Sequence, residues 1–243
     1  MRRRAPCLLW RLAPVLAALL LAACPTRAPR PVPAAPVSLS RAPVPTGDPY
    51  PIASEESLLL IRAYRGGTLG AAGHNHVIAA RGLSGTFHVP ADPARASLEL
   101  VLPVAQFSID EPQLRAAQHS ADFPPQVPES ARAGTRRNML GAALLDGMDF
   151  PQITIRSSSL ELAAGTGLAH LEVTVRGVPH EISVPLRFEL AEGVLEVSGE
   201  TRLTQSELGL TPFSAFLGAL QVQDELQVSF HLVAHAAGAP RGG

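Results

Sequence analysis

The strongest constraint on the fold is a run of alternating apolar and polar residues from Leu168 to Leu190. Its apolar positions are Leu171, Val173, Val175, Ile182, Val184, Leu186, Phe188 and Leu190. A period of two is typical of a β-hairpin with one buried and one solvated face, and we predict its turn at residues 177–179. The rest of the chain must therefore cover the apolar face.

The first 53 residues carry signals for export and tethering. Three arginines precede an apolar run that ends at Leu21-Ala22-Ala23-Cys24, which resembles a bacterial lipoprotein signal with Cys24 as the lipid-bearing residue. A plain secretory signal or an uncleaved anchor is the alternative. Residues 24–53 are rich in proline and alanine, a composition typical of an extended tether. We therefore expect a protein of the bacterial cell envelope that is lipid-anchored to a membrane and faces the periplasm.

The predicted organisation has four parts. Residues 1–23 form the signal peptide and residues 24–53 the tether. Residues 54–236 are long enough for one domain with a sizeable core, and residues 237–243 form a disordered tail. Because Cys7 lies inside the predicted signal peptide, the mature chain would keep only Cys24 and could form no internal disulfide.

Charge and motifs exclude several classes of function. From Ser54 onward the chain has 13 arginines and 20 acidic residues, a formal charge of −7. This sign argues against nucleic acid as a partner and against attraction to anionic lipid headgroups. The chain contains no lysine, which excludes lysine-based catalysis, and it lacks the common hydrolase, phosphate-loop, dinucleotide and zinc-protease motifs. We predict no catalytic activity and no cofactor.

Further strand-like segments, most of them alternating, predict an all-β domain. They span residues 57–65, 83–89, 97–102, 107–110, 153–158, 195–203 and 224–234. Between residues 111 and 149 the alternation disappears, and residues 129–145 favour a helix within a long loop. Seven or eight antiparallel strands without a β-α-β rhythm protect their edges best by closing into a single barrel. A two-sheet sandwich is the alternative architecture.

Four segments of the domain resemble the YceI-like family. They are FPQITIRS at residues 150–157, VTVRGVPH at 173–180, ELGL at 207–210 and VQDELQV at 222–228. The resemblance implies a periplasmic, lipocalin-like barrel of eight antiparallel strands and one helix, whose apolar interior holds an isoprenoid-like or other long-chain lipid. The chain departs from the family pattern near the front, where Glu56-Ser57 replaces an expected His-Ser pair and a Gly73-His74-Asn75-His76 stretch follows.

We predict that inward-facing apolar residues bind the lipid, with about 0.8 kcal/mol gained for each buried CH₂ group. The candidates are Leu83, Phe87, Leu98, Leu100, Phe107, Val173, Val175, Leu186, Phe188, Leu226, Val228 and Phe230. The alternative is a barrel filled by its own side chains, which would act as an envelope interaction module.

A second hypothesis concerns the histidines. His74 and His76 would share one face of an extended segment, and His119 could complete an open three-histidine metal site. Alternatively, these histidines form hydrogen bonds within a glycine-rich loop.

The connection at residues 211–220 contains Phe213, Phe216 and Leu217. We predict that this segment forms a lid or part of the core, because isolated domains rarely leave neighbouring apolar residues uncovered. An exposed surface for a partner is the alternative.

Overall fold

The computed structural model describes residues 45–237. The strands are β1 (Asp48–Pro51), β2 (Leu58–Gly66), β3 (His76–Ala80), β4 (Ser84–Val89), β5 (Ser97–Pro103), β6 (Ser108–Ile109), β7 (Gln152–Ala163), β8 (Thr166–Val175), β9 (Val178–Ala191), β10 (Val194–Thr204), β11 (Ser214–Ala215) and β12 (Leu220–His235). Two α-helices, α1 (Pro112–Ala116) and α2 (Glu129–Leu140), lie between β6 and β7. Within these residues no helix has the length and hydrophobicity needed to span a bilayer.

All twelve strands belong to one antiparallel sheet. Eleven follow the order β1-β4-β5-β7-β8-β9-β10-β12-β2-β3-β6, and β11 pairs with β12. The chain leaving β1 reaches across to β12, where Ile52 bridges Ala234 and the Ala53 N–H donates to the Val233 carbonyl oxygen at 2.8 Å. The sheet is therefore curled into an antiparallel half-barrel.

The all-β prediction is confirmed, but the predicted count of eight strands is not. Eight of the twelve strands, from β4 through β12 to β2, are consecutive in the sheet order, and the other four are short. The connection between β6 and β7 contains two helices where one was predicted, and α2 ends at Leu140 rather than at residue 145.

The hairpin predicted at residues 168–190 is formed by β8 and β9. Val175 pairs with Val178, so the turn consists of Arg176 and Gly177, whose φ angles are 50° and 75°. Two positive φ values define the tight turn that matches the twist of a hairpin. The prediction of a turn at residues 177–179 was therefore wrong at both ends, since the turn begins at Arg176 and Val178 and Pro179 already belong to β9.

Strand β3 was not predicted, because it is buried on both faces. Ile78 and Ala80 belong to the main core inside the curled sheet. Val77 and Ala79 pack on the other face with Phe123, which comes from the segment after α1. A strand covered on both sides has no polar face, so its sequence does not alternate.

Strand β1 lies within the segment that was predicted as the end of the tether. Pro49 pairs with His88 and Pro51 pairs with Thr86, at the end of the strand order. Proline cannot donate a backbone hydrogen bond, and edge strands are where sheets tolerate it. The folded sheet therefore begins at Asp48.

Candidate functional site

The concave side of the sheet encloses a chamber of about 280 Å³, here called the inner chamber. Apart from His88, Ser97 and Thr201, its lining consists of alanine, proline, leucine, isoleucine, valine and phenylalanine residues. These side chains come from strands on every side of the curled sheet because alternate residues of each strand point inward. The inner chamber can therefore accept an apolar guest but offers no charged group to hold a polar one.

Eleven of the twelve residues predicted to bind lipid line the inner chamber. They are Phe87, Leu98, Leu100, Phe107, Val173, Val175, Leu186, Phe188, Leu226, Val228 and Phe230. Leu83 does not line it. It lies in the turn between β3 and β4, where it is 2% exposed and packed within the core.

A second space of about 450 Å³, here called the outer chamber, adjoins the first. Six residues line both spaces, namely Ile61, Phe107, Ile153, Val175, Leu208 and Leu226. The outer chamber adds polar side chains from Arg65, His74, His76, Thr135, Asn138, Gln205 and Gln221. The two chambers thus adjoin and share part of their walls, the inner one apolar and the outer one partly polar.

One face of α2 forms a wall of the outer chamber. Ala131, Gly134, Thr135, Asn138 and Met139 line it, at the three- and four-residue spacing of a single helix face. Small residues on this face leave the space open, and Thr135 and Asn138 provide hydrogen-bonding groups. Helix α2 therefore has the position of a cover over the outer chamber.

A buried charged cluster supports the outer chamber from behind. Asp110 and Arg115 each have side chains 1% exposed, and Arg115 Nη1 donates to Asp110 Oδ1 at 2.6 Å. His76 Nδ1 lies 2.6 Å from Asp110 Oδ2, so we assign its proton to Nδ1. The Thr135 hydroxyl then donates to His76 Nε2 at 3.0 Å. This chain of contacts fixes the orientation of His76 at the chamber wall.

The cluster includes backbone groups as well. Asp110 Oδ1 accepts from the Val77 N–H at 2.9 Å, and Arg115 Nη1 also donates to the Asn75 carbonyl oxygen at 2.8 Å. Arg115 Nη2 has no hydrogen-bond partner within the residues the structure describes. Most of the polar groups are therefore paired, which lets the fold bury two full charges.

Two groups near the outer chamber have shifted pKa values. Burial raises the pKa of Asp110, but the hydrogen bonds from His76 and Val77 and the nearby charge of Arg115 outweigh it, so the pKa lies below its usual value. Burial, followed by the nearby side chains of His76 and Arg115, lowers the pKa of His74. The cluster therefore favours a charged carboxylate at Asp110 and a neutral imidazole at His74.

Sequence reasoning missed Asp110, Arg115 and Thr135. Asp110 has a φ of 53° at the end of β6 and Arg115 lies in the short helix that follows, where no periodic pattern marked either residue. The small-residue face of α2 was the available signal for Thr135. A scan at helical spacing would have found it.

The structure does not bring the three histidines together as metal ligands. Both ring nitrogens of His76 form hydrogen bonds, and the His74 and His76 ring centroids are 6.2 Å apart. His119 is exposed and follows α1. Across residues 45–237 no group of three or more histidine, cysteine or acidic side chains has a geometry that could hold a metal ion.

The segment between β10 and β12 does not form the predicted lid or core. Phe216 is 75% exposed and Leu217 is 109% exposed, and both have positive φ values of 52° and 56°. Phe213, by contrast, is 36% exposed and lines the outer chamber. The prediction was wrong for Phe216 and Leu217, because their backbone conformation directs them to solvent. Cys24 lies outside the described residues.

Comparisons with known proteins agree with this architecture. The chain is similar to BcnA from Burkholderia cenocepacia, with 18% identity and a TM-score of 0.55 over 75% of this chain and 99% of that one. It is also similar to a polyisoprenoid binding domain from Saccharophagus degradans implicated in plant cell wall breakdown. There the identity is 14% and the TM-score 0.51, over 77% of this chain and 98% of that one. At such identities the likeness shows the fold alone.

The comparison with curated proteins found no match. The family model of the YceI-like domain matches residues 67–234, which include β3 to β10 and nearly all of β12. That span contains the hairpin, both helices and most of the lining of both chambers. The chain therefore belongs to the YceI-like family.

Proposed function

We propose that this protein binds or transports an isoprenoid-like or other long-chain lipid, with the hydrocarbon tail in the inner chamber. The observation that carries the proposal is an apolar chamber that adjoins, and shares six lining residues with, a partly polar one. A lipid with a long tail and a small polar end has the same division. We propose no catalytic step and no cofactor.

The energetics favour a hydrocarbon tail. Each CH₂ group moved from water into an apolar site contributes about 0.8 kcal/mol, so a tail of several isoprene units needs no charged anchor. Ordinary ligand sites span about 300–1,000 Å³; the outer chamber, at about 450 Å³, lies within this range and the inner one, at about 280 Å³, lies just below it. The relative from Saccharophagus degradans is described as polyisoprenoid binding, which supports an isoprenoid as the ligand class.

We also propose that the protein is exported and tethered in the bacterial envelope. Residues 1–23 would direct export, Cys24 would carry the lipid anchor, and the tether would end at residue 47 because β1 begins at Asp48. Labelling cells with a radioactive fatty acid tests this assignment. Wild type should incorporate the label, Cys24→Ala should not, and incorporation in the Cys24→Ala variant would contradict it.

Native mass spectrometry tests the lipid proposal directly. Residues 25–243 would be exported behind a cleavable secretion signal and purified without detergent. We expect an added mass that organic extraction removes and that fragments as a hydrocarbon-tailed molecule. A bare protein mass would contradict the proposal and favour a chamber without a ligand.

Charged substitutions inside the chamber sharpen this test. Phe188→Asp and Phe230→Asp each place a carboxylate in the inner chamber, where desolvation opposes both the charge and an apolar ligand. We expect at least a tenfold loss of co-purified lipid in each variant. Arg187→Asp, on the exposed face of the same strand as Phe188, is the matched control and should retain the lipid. Equal lipid content in all three variants would contradict an inner-chamber site.

A further inference from the structure

Four exposed apolar side chains lie together beside the outer chamber, and we call them the rim patch. They are Leu69, Phe213, Phe216 and Leu217, with exposed fractions of 51%, 36%, 75% and 109%. They come from two loops, one after β2 and one before β12. The Leu69 N–H donates to the Ala219 carbonyl oxygen at 2.7 Å and joins these loops.

The rim patch adjoins the opening of the cavity. Phe213 belongs to the patch and also lines the outer chamber. Next to the patch, Leu220 at the start of β12 and Ala72 and Gly73 of the first loop line the same chamber. Apolar surface therefore leads from the protein exterior into the outer chamber, which shares part of its wall with the inner chamber. A ligand that passes the rim patch would keep contact with apolar side chains along the whole route.

The backbone conformation keeps Phe216 and Leu217 of the rim patch exposed. Phe216 and Leu217 both have left-handed φ values, which are uncommon for side chains of this size and cost conformational energy. Hydrogen bonds from Ala219 N–H to the Phe216 carbonyl and from Val222 N–H to the Phe213 carbonyl hold this turn. The fold therefore maintains two large apolar side chains in solvent at an energetic cost, which indicates a role in contact with a partner.

Both loops of the rim lack charged residues. Residues 66–73 and residues 209–221 contain no aspartate, glutamate, arginine or lysine. The cation at this rim is Arg65, whose Nη1 donates to the Ala71 and Gly73 carbonyl oxygens of the first loop; a side chain of this length can keep its guanidinium among the lipid headgroups while the loops insert. The rest of the folded region is acidic, so attraction to anionic headgroups would not bring it to a membrane. These features fit a lipid bilayer entered by apolar contact, in the manner of other interfacial segments.

The predicted anchor can reach far enough for such contact. Residues 24–47, if extended as their prolines favour, reach about 70 Å. Asp48 pairs with Val89, which lines the inner chamber and not the outer one beside the rim. Strand β7 has 12 residues and rises about 40 Å. A tether of this length can therefore pass the height of the sheet and let the rim touch the bilayer.

We propose that the rim patch inserts into the surface of a lipid bilayer and places the opening of the outer chamber against the membrane. The insertion itself does not depend on what the cavity holds. Its purpose, the direct passage of a lipid between bilayer and cavity, rests on the function proposed above.

Single-tryptophan variants of the full chain test the insertion. Trp10 is the only tryptophan, so Trp10→Phe provides a background without one. Phe216→Trp then places a reporter in the rim patch, and Glu189→Trp places one on the exposed face of β9 as the control. The probes are phosphatidylethanolamine and phosphatidylglycerol vesicles, with and without bromine atoms on the acyl chains. Both variants have the same N-terminal region, so any association through it is the same for both.

We expect brominated lipid to quench the fluorescence of the Phe216→Trp variant at least twofold and that of the Glu189→Trp variant by less than a fifth. Raising the salt concentration should not reduce this quenching, because charge does not drive the contact. Equal quenching of the two variants, or none in Phe216→Trp, would overturn the proposal. Lipid content measured by mass spectrometry is a separate readout. A protein that carries lipid but shows no quenching overturns the insertion alone, and quenching without any carried lipid overturns the proposed function alone.

Discussion

The two chambers of this protein are built differently. Strand residues make up nearly all of the inner chamber, which has apolar walls from neighbouring and opposing strands. The outer chamber is bounded by α2, by loops and by the ends of strands, and a buried ion pair supports it. The inner chamber therefore depends on the periodicity of the sheet. The outer chamber depends on specific polar contacts between segments far apart in sequence.

This difference separates two tasks that a lipid-binding protein must perform. Apolar burial is non-directional, so a uniform wall of leucine, valine and phenylalanine can hold tails that differ in detail. Hydrogen bonds are directional, so Thr135 and Asn138 can distinguish between polar end groups only if their positions are fixed, and His76 holds the Thr135 hydroxyl in place. Affinity and selectivity therefore belong to different parts of one cavity. Substitutions in the two parts should have different consequences.

The largest loss of stability is expected at the buried ion pair between Asp110 and Arg115, next to the outer chamber. Asp110→Ala would leave the buried guanidinium of Arg115 without its partner. Removing one member of a buried pair costs about 3–5 kcal/mol of unfolding free energy, which denaturant titration would measure. Glu200→Ala is the control because it removes an exposed carboxylate from Arg62 and should cost less than about 1 kcal/mol. Similar losses in both variants would show that the buried pair is not critical.

An alanine-to-leucine substitution that fills the inner chamber should lose much less unfolding free energy than one in the packed core. Ala169 and Ala79 are 3% and 1% exposed, but only Ala169 lines a chamber. Ala79→Leu overpacks the cluster with Phe123 and should lose about 1–3 kcal/mol of unfolding free energy.

Ala169→Leu should lose less than about 1 kcal/mol, because its side chain extends into open space. It should also reduce the amount of lipid that co-purifies with the protein. If thermal unfolding shows equal destabilisation of Ala79→Leu and Ala169→Leu, the inner chamber is not open in solution.

Acid should reveal the contribution of Asp110 to stability. Its folded pKa lies below the usual value of about 3.9, so the unfolded chain binds the proton first as the pH falls. The stabilisation is complete above about pH 4 and is lost as the pH falls through the folded pKa. Asp110→Asn should therefore lose unfolding free energy less steeply than wild type below about pH 4. Denaturant titrations at each pH would measure the two unfolding free energies. If both decrease by the same amount as the pH falls, the lowered pKa of Asp110 is contradicted.

The smallest effect on stability is expected from the titration of His74. Its folded pKa is lowered, so its neutral form is favoured in the folded protein and the stabilisation is complete above about pH 6.5. As the pH falls below that value, the unfolded chain takes up the proton first and stability decreases. His74→Ala should flatten the dependence of the melting temperature on pH between about 6.5 and 5. An unchanged slope would show that the burial of His74 does not affect its titration.

The sequence predicted the sheet best where one face of a strand is buried and the other solvated. Strands β8 and β9 alternate clearly, and ten of the eleven predicted residues that line the inner chamber lie in such strands, the exception being Phe107. Strand β3 escaped prediction because both of its faces are covered, and β1 because its prolines resemble those of the preceding tether. Periodicity thus reports one-sided burial rather than strand structure itself.

The outer chamber was less predictable for a related reason. His76 and Asp110 are 34 residues apart, and Thr135 is 59 residues from His76, so only tertiary structure brings them together. No local pattern distinguishes a buried Arg115 from an exposed arginine in a short helix. The exposure of Phe216 and Leu217 depends on two positive φ values that their residue types do not favour. Specific polar sites and strained turns are properties of the assembled fold.

Photo-crosslinking with positioned probes tests most directly whether the two chambers hold different parts of one lipid. Two long-chain isoprenoid alcohols would carry a diazirine either at the end of the tail or beside the hydroxyl group. We predict that the tail probe labels inner-chamber residues such as Leu162, Leu186 and Phe188, and that the hydroxyl probe labels Thr135 or Asn138. Labelling of the same residues by both probes, or of the outer face at Arg187, would contradict this division.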